Sequence, residues 1–219
     1  PQLSRQYAAN SKEGFSNVLD WGLKCNLLIG VPAAITMLTL SGPLIICLFY
    51  YGKFTMHDVL MTQRSVITYA IGLPAFMLAK ILSSAFYSTH DATTPVRISI
   101  ISLIVGMILS IIFIYPFGHA GLALATSLSA WINVISLWVF LNKKDIYIAS
   151  TQWLKFILQL FFANGLLIVF LWFASNDITT WSNLSTMQRF VHICFLGLGS
   201  IVIYIFCLWL SKLNFKSLI

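Results

Sequence analysis

Charge is what this chain has least of. Only 9% of its 219 residues are charged, against about 25% in a typical soluble domain, too few to clothe a surface in water. Acids are scarcer than bases, six Asp and Glu against thirteen Lys and Arg. With no acid deep in an apolar run, nothing supplies a general acid and base, and the chain reads as a non-enzyme. Also missing are a Gly-rich phosphate loop, a GxSxG turn, a Ser-His-Asp set and an HExxH pair. The four cysteines, Cys25, Cys47, Cys194 and Cys207, form no CxxC, and each stands in an apolar run. That argues against a disulfide framework or metal site and for buried or lipid-facing thiols. No cofactor is expected. The net charge of +7 does not point to nucleic acid, because the basic residues form no basic face.

What the chain has is hydrocarbon: 59% of it is hydrophobic, and the mean hydropathy is +0.89. The bilayer is the solvent for most of such a surface. Six apolar segments are predicted, making an all-α integral membrane protein. The first covers 19–41, kinked at Pro32, broken at Gly42-Pro43 and continued as a bent extension over 44–51. The second covers 57–87, opened by a Thr55/Asp58 capping box and kinked at Pro74. The third starts with Thr94 as N-cap and Pro95 at the first helical position, and stops at Pro116. The fourth, fifth and sixth cover 119–141, 152–174 and 186–210, the last behind a Ser185/Gln188 capping pattern. Residues 1–18 read as a polar loop or surface helix. The chain opens on Pro1 without an initiator Met and is expected to be a fragment of a longer protein.

The connections sort by charge. One side collects Arg5, Lys12, Lys24, Arg97, Lys143, Lys144, Lys155, Lys212 and Lys216, and the other only Lys53 and Arg189. The positive-inside rule makes the first side cytoplasmic, with both ends of the chain on it. Asp20 and Lys24 are spaced for an i,i+4 pair. Trp153, Trp172, Trp181 and Trp209 fall near segment ends, as an interfacial aromatic belt would.

Two ionisable residues fall inside the second segment, Arg64 and Lys80, and intramembrane charge points by default to function. Sixteen residues apart, they stand about 24 Å apart along an ideal helix, too far for one compact site. Snorkelling to opposite interfaces is the plainer alternative. Gly121, Ala125, Ser129 and Asn133 recur every fourth residue along the fourth segment, a packing face on which two helices can approach closely.

A set of short motifs goes further. Leu19-Asp20-Trp21-Gly22-Leu23, Leu40-Ser41-Gly42-Pro43-Leu44, Leu48-Phe49-Tyr50-Tyr51-Gly52-Lys53-Phe54 and Thr62-Gln63-Arg64 occur in that order. Phe86-Tyr87-Ser88, Asp91, Thr94-Pro95-Val96 and His119-Ala120-Gly121-Leu122-Ala123-Leu124 follow. Together they resemble the C-terminal part of the MurJ (MviN) family of lipid II flippases, specifically over 1–141 and loosely in the last two segments. The resemblance implies a fourteen-helix, V-shaped, two-lobe transporter of the multidrug/oligosaccharidyl-lipid/polysaccharide exporter superfamily, of which this chain would cover the ninth to fourteenth helices. Residues 1–18 would be a cytoplasmic segment, 19–142 four helices of the C-terminal lobe, and 143–219 two additional helices with a cytoplasmic end. The implied activity is alternating-access flipping of lipid II across the bacterial inner membrane for cell-wall biogenesis. Lipid II and membrane lipids would be its partners, with the cell-wall synthesis machinery as a further one. Arg64, Lys80 and Lys24 would be candidates to meet the substrate, the last two segments would border a groove for its polyprenyl tail, and the fragment alone would be inactive. A related exporter of drugs or polysaccharide-linked lipids, a membrane enzyme acting on a lipid-linked substrate and a structural membrane module are the competing readings.

Overall fold

The structure is a computed structural model that describes residues 2–9, 11–144, 147, 148, 150, 152–175 and 178–210. Its described residues form helices α1 (Gln2–Ala8), α2 (Lys12–Phe49), α3 (Met56–Ala70), α4 (Leu73–Ser88), α5 (Thr93–Phe117), α6 (His119–Lys143), α7 (Trp153–Ala174), α8 (Ile178–Asn183) and α9 (Thr186–Leu210). Among the described residues, six spans are long and apolar enough to cross a membrane: α2, α3 with α4, α5, α6, α7 and α9. The predicted segment count and the all-helical class hold. Lys212 and Lys216 lie outside the described residues.

Helix α2 is longer than the sequence suggested, and it corrects two expectations. It starts at Lys12, seven residues before the apolar run, because Ser11 caps it by accepting the Gly14 N–H at 3.1 Å. It also runs unbroken through Pro32 and Pro43 to Phe49, so Gly42-Pro43 does not end it. At 38 residues it measures about 57 Å, nearly twice the ~30 Å hydrocarbon core. Its two halves serve different clusters. Phe15, Leu19 and Leu23 pack with buried residues of α4 and α6, including Leu82, Phe86, Leu137 and Leu141. Leu28, Leu40, Ile45 and Ile46 pack with α7 and α9 through Leu160, Leu167, Leu171 and Leu196.

The second span is discontinuous. Helix α3 ends at Ala70 and α4 restarts at Leu73, with Pro74 in its first turn. A break at membrane depth frees carbonyls that hydrocarbon cannot satisfy. Helix α6 satisfies them: Ser127 Oγ donates to the Thr68 carbonyl at 2.7 Å, and Trp131 Nε1 to the Ile71 carbonyl at 3.0 Å. The approach is close enough to require Gly72, where an added Cβ would stand 2.8 Å from the Ser127 Cα.

The capping boxes at Thr55/Asp58 and Ser185/Gln188 form reciprocally. The start of α5 differs from its expectation. The helix begins at Thr93, and Asp91 rather than Thr94 supplies the capping oxygen, accepting the Thr94 N–H at 3.1 Å. Helix α5 also runs past Pro116 to Phe117, and Gly118 alone joins it to α6. With φ +56° and ψ −132°, Gly118 holds a conformation that only glycine adopts readily. Outward-facing Ile, Leu, Val and Phe dominate the surface, as on Ile104, Ile111, Leu158 and Phe195, which suits a lipid solvent.

Replacing Gly72 by Ala is expected to force α3–α4 and α6 apart and to cost about 1–3 kcal/mol. Thermal unfolding in detergent checks it, and an unchanged transition would mean that the junction yields freely.

Candidate functional site

An apolar concavity lies between α2, α7 and α9. It is a groove of about 540 Å³, walled by Leu28, Ile29, Pro32 and Ala33 on one side and by Leu167, Gly197 and Ile201 on the other. Three hydroxyls reach its wall, and all three are turned into it. Thr36 Oγ1 donates to the Pro32 carbonyl at 2.9 Å, Ser200 Oγ to Gly197 at 2.7 Å and the Tyr204 hydroxyl to Leu28 at 2.8 Å. With its donors spent on backbone, the lining is chemically hydrocarbon. Leu28 to Thr36 is the middle third of α2, which places the groove at the depth of lipid tails.

Two buried polar nodes flank it. Toward the start of α2, Asp20, only 3% exposed, accepts from the Tyr147 hydroxyl, from Trp153 Nε1 at 3.0 Å and from the Ser150 N–H at 3.3 Å. Burial, then the Asp20 carboxylate it donates to, push the Tyr147 phenol well above its ordinary range. This node ties the α6–α7 connection onto α2. The predicted Asp20–Lys24 pair is not formed. Lys24 instead sits 5.7 Å over the Trp153 ring, buried. At the other end Arg189 is buried in the first turn of α9, where a helix dipole disfavours a cation. Carbonyls hold it: Trp181 at 3.1 Å, Ser182 at 2.7 Å and Tyr50 at 3.4 Å.

The sequence-predicted residues do not converge. Arg64 on α3 and Lys80 on α4 are both exposed, and no side-chain hydrogen bond or ion pair among the described residues joins them to each other. Lys24 is enclosed beside Trp153. Gly121, Ala125, Ser129 and Asn133 run along α6. A Cβ on Gly121 would meet the Phe113 carbonyl oxygen at 2.2 Å, Ser129 lies against Gly106, and Asn133 Nδ2 donates to Ser99 Oγ at 3.3 Å. The α6 face therefore meets α5. Ser129 and Asn133 also border a recess of about 420 Å³ with Ser102. Of the four tryptophans expected in the interface, Trp172 and Trp209 are exposed, but Trp181 is 1% exposed and Trp153 is spent on Asp20. The sequence did not nominate Tyr204, Tyr147 or the Asp20 carboxylate. The partners of Asp20 lie about 130 residues away, and only the unexplained acid in an apolar helix hinted at them.

An ion pair joins the end of α6 to the α4–α5 connection, where Lys144 donates to Asp91. The Lys144 ammonium and then Thr94 hold the Asp91 carboxyl well below the usual carboxylate range.

The fold defines a multi-pass α-helical membrane protein with an apolar groove between α2, α7 and α9. The family model described as lipid II flippase MurJ matches residues 1–196, and the chain belongs to that family. It is 37% identical to a probable lipid II flippase MurJ of Buchnera aphidicola subsp. Baizongia pistaciae over 98% of this chain and 42% of that protein. It is 32% identical to a Vibrio cholerae counterpart over 100% of this chain and 42% of that protein. The chain thus spans less than half the length of these relatives. Its fold matches a solved lipid II flippase MurJ in an inward closed conformation, at a TM-score of 0.75 and 24% identity, over 99% of this chain and 42% of that one.

Because the Asp91 carboxyl titrates lower folded than unfolded, it stabilises the fold above about pH 4 and loses that contribution as pH falls further. Asp91→Asn is expected to lower stability at neutral pH by no more than about 1 kcal/mol, since the pair is partly exposed. The difference from the unsubstituted protein should close below about pH 4. Melting curves of both proteins across that range check it.

Proposed function

We propose that this chain is the C-terminal part of a lipid II flippase of the bacterial inner membrane, in which the α2/α7/α9 groove carries the polyprenyl tail. The observation that carries the reading is the groove itself, a mid-bilayer trough whose three hydroxyls are all spent on backbone. Dragging the bare pyrophosphate and sugar-peptide head through hydrocarbon would be prohibitive. A head held in a polar cavity while the tail follows an apolar track avoids that cost, and rocking of two lobes then exposes the head to each side in turn. Residues 19–142 would belong to the moving lobe and 143–219 to the tail-bearing pair with the chain's end. Arg64 and Lys80, exposed on α3 and α4, are the residues of this chain proposed to meet the anionic head. Enclosure makes Lys24 a weaker candidate in this conformation.

The charge pattern supports both ends being cytoplasmic. Arg5, Lys12, Arg97, Lys143, Lys144 and Lys155 share one side, and on the other Lys53 is exposed while Arg189 is buried among carbonyls. The cell-wall synthesis machinery is the proposed neighbour of the full-length protein.

The test is lipid II exposure on the periplasmic face of cells depleted of their own flippase and supplied with the full-length protein. Exposure and growth are expected to return. A protein that inserts but leaves lipid II inside would overturn the assignment. Gly197→Leu is the informative variant, since a Cβ there meets open space. The added side chain would displace about four methylene-sized groups of the tail, weakening its binding by roughly 3 kcal/mol without disturbing insertion. Arg64→Ala and Lys80→Ala are expected to slow exposure, and full activity of either would remove that residue from the head-binding set.

A further inference from the structure

We propose that Tyr204 is a positioning residue that sets the width of the groove by locking α9 to the carbonyl that Pro32 leaves free in α2. The inference rests on the tail-groove reading above. In an α-helix the carbonyl of residue 28 accepts from the N–H of residue 32, and proline has none. The Leu28 carbonyl therefore faces mid-bilayer without its helical donor, a costly state in hydrocarbon. The Tyr204 hydroxyl fills the vacancy at 2.8 Å from the neighbouring helix. The other two hydroxyls on the wall bond within their own helices, Thr36 to Pro32 and Ser200 to Gly197. Of the three, only Tyr204 crosses the groove from one wall to the other.

Farther along the seam, Arg189 ties α9 to α2 again at the Tyr50 carbonyl. Between these two ties the helices present small side chains, Ala33 against Gly197 and Ser200, and there the groove is open. A seam pinned at both ends keeps a fixed opening. Moving α9 outward would orphan the Leu28 carbonyl, so the groove resists widening and grips a slender chain along its length. Proline and tyrosine form one device: the first exposes the acceptor, the second uses it to hold the facing wall.

The device can be separated from ordinary stability. Tyr204→Phe keeps the ring and removes the cross-groove bond. Pro32→Ala gives Leu28 back an intrahelical donor, so in Pro32→Ala/Tyr204→Phe the carbonyl is satisfied while the wall is unpinned. The full-length protein and these variants are compared in nanodiscs for binding of undecaprenyl pyrophosphate and farnesyl pyrophosphate, which share a head and differ in tail, alongside melting temperatures. The unsubstituted protein is expected to favour the long tail. Tyr204→Phe should lower both the melting temperature and the long-to-short affinity ratio, the latter about fivefold, the size of one ordinary hydrogen bond. The double variant should regain the melting temperature but keep the lowered ratio relative to Pro32→Ala alone. A ratio that recovers together with stability, or that never falls in Tyr204→Phe, would overturn the positioning role while leaving the groove reading intact. Equal binding of both probes by the unsubstituted protein would instead overturn the groove reading and this inference with it. If Tyr204→Phe does not fold, the double variant against Pro32→Ala still decides.

Discussion

Hydrocarbon offers no hydrogen bonds, so every carbonyl that a helix fails to use at membrane depth must be answered by another side chain. This chain incurs that obligation repeatedly. Pro32 frees a carbonyl in the middle of α2, and the Ile71-Gly72 junction frees several between α3 and α4. Neighbouring helices answer each: Tyr204 the first, and Ser127 and Trp131 the second. At the ends of α2 and α8 the terminal carbonyls are gathered by a single guanidinium, that of Arg189. The tertiary arrangement is held where the secondary structure is imperfect, and specificity of helix pairing comes from these sites because apolar contact alone does not distinguish helix from lipid.

Helix α2 organises the rest. Its first half belongs with α4 and α6, its second with α7 and α9. Two groups of helices that share little else are therefore joined along one rod, with the Asp20 node fastening the connection between them. A single acid accepting three donors tolerates burial because its charge is solvated by protein hydrogen bonds instead of water. The groove lies beyond this node along α2, where α9 returns past Pro32, so its shape follows from the rod and the two ties across it.

Much of this fold was legible in the sequence, and what was not has a common cause. The six spans stand out because twenty or so apolar residues have no other stable home. The capping boxes at Thr55 and Ser185 were legible because they are local. Prolines were over-read as breaks: α2 continues through Pro43 and α5 through Pro116, because the apolar surroundings favour a backbone that keeps its remaining hydrogen bonds within the helix. Asp20 and Lys24 have the right spacing for a pair, yet Asp20 is claimed by Tyr147 and Trp153 from far along the chain, and a spacing rule cannot see such competitors. Trp181 has the position of a belt residue and the burial of a core one. The groove was legible only through the resemblance, which set it beside the last two segments and did not show α2 as its other wall, and the hydroxyl that spans it could not be told from any other tyrosine in an apolar segment. The stripe on α6 showed that a close neighbour existed, but not that it would be α5.

The single-residue link at Gly118 bears on how the protein is made. Helices α5 and α6 leave no room between them for a loop, so they form a tight antiparallel hairpin suited to entering the bilayer as a pair. Helix α5 has a mean hydropathy of 2.7 and α6 only 1.7, with Ser127, Ser129 and Asn133 along it. The greasier partner is thus well placed to shelter the more polar one on entry: Ser129 and Asn133 already lie against α5, and Ser127 faces the α3–α4 junction that it completes.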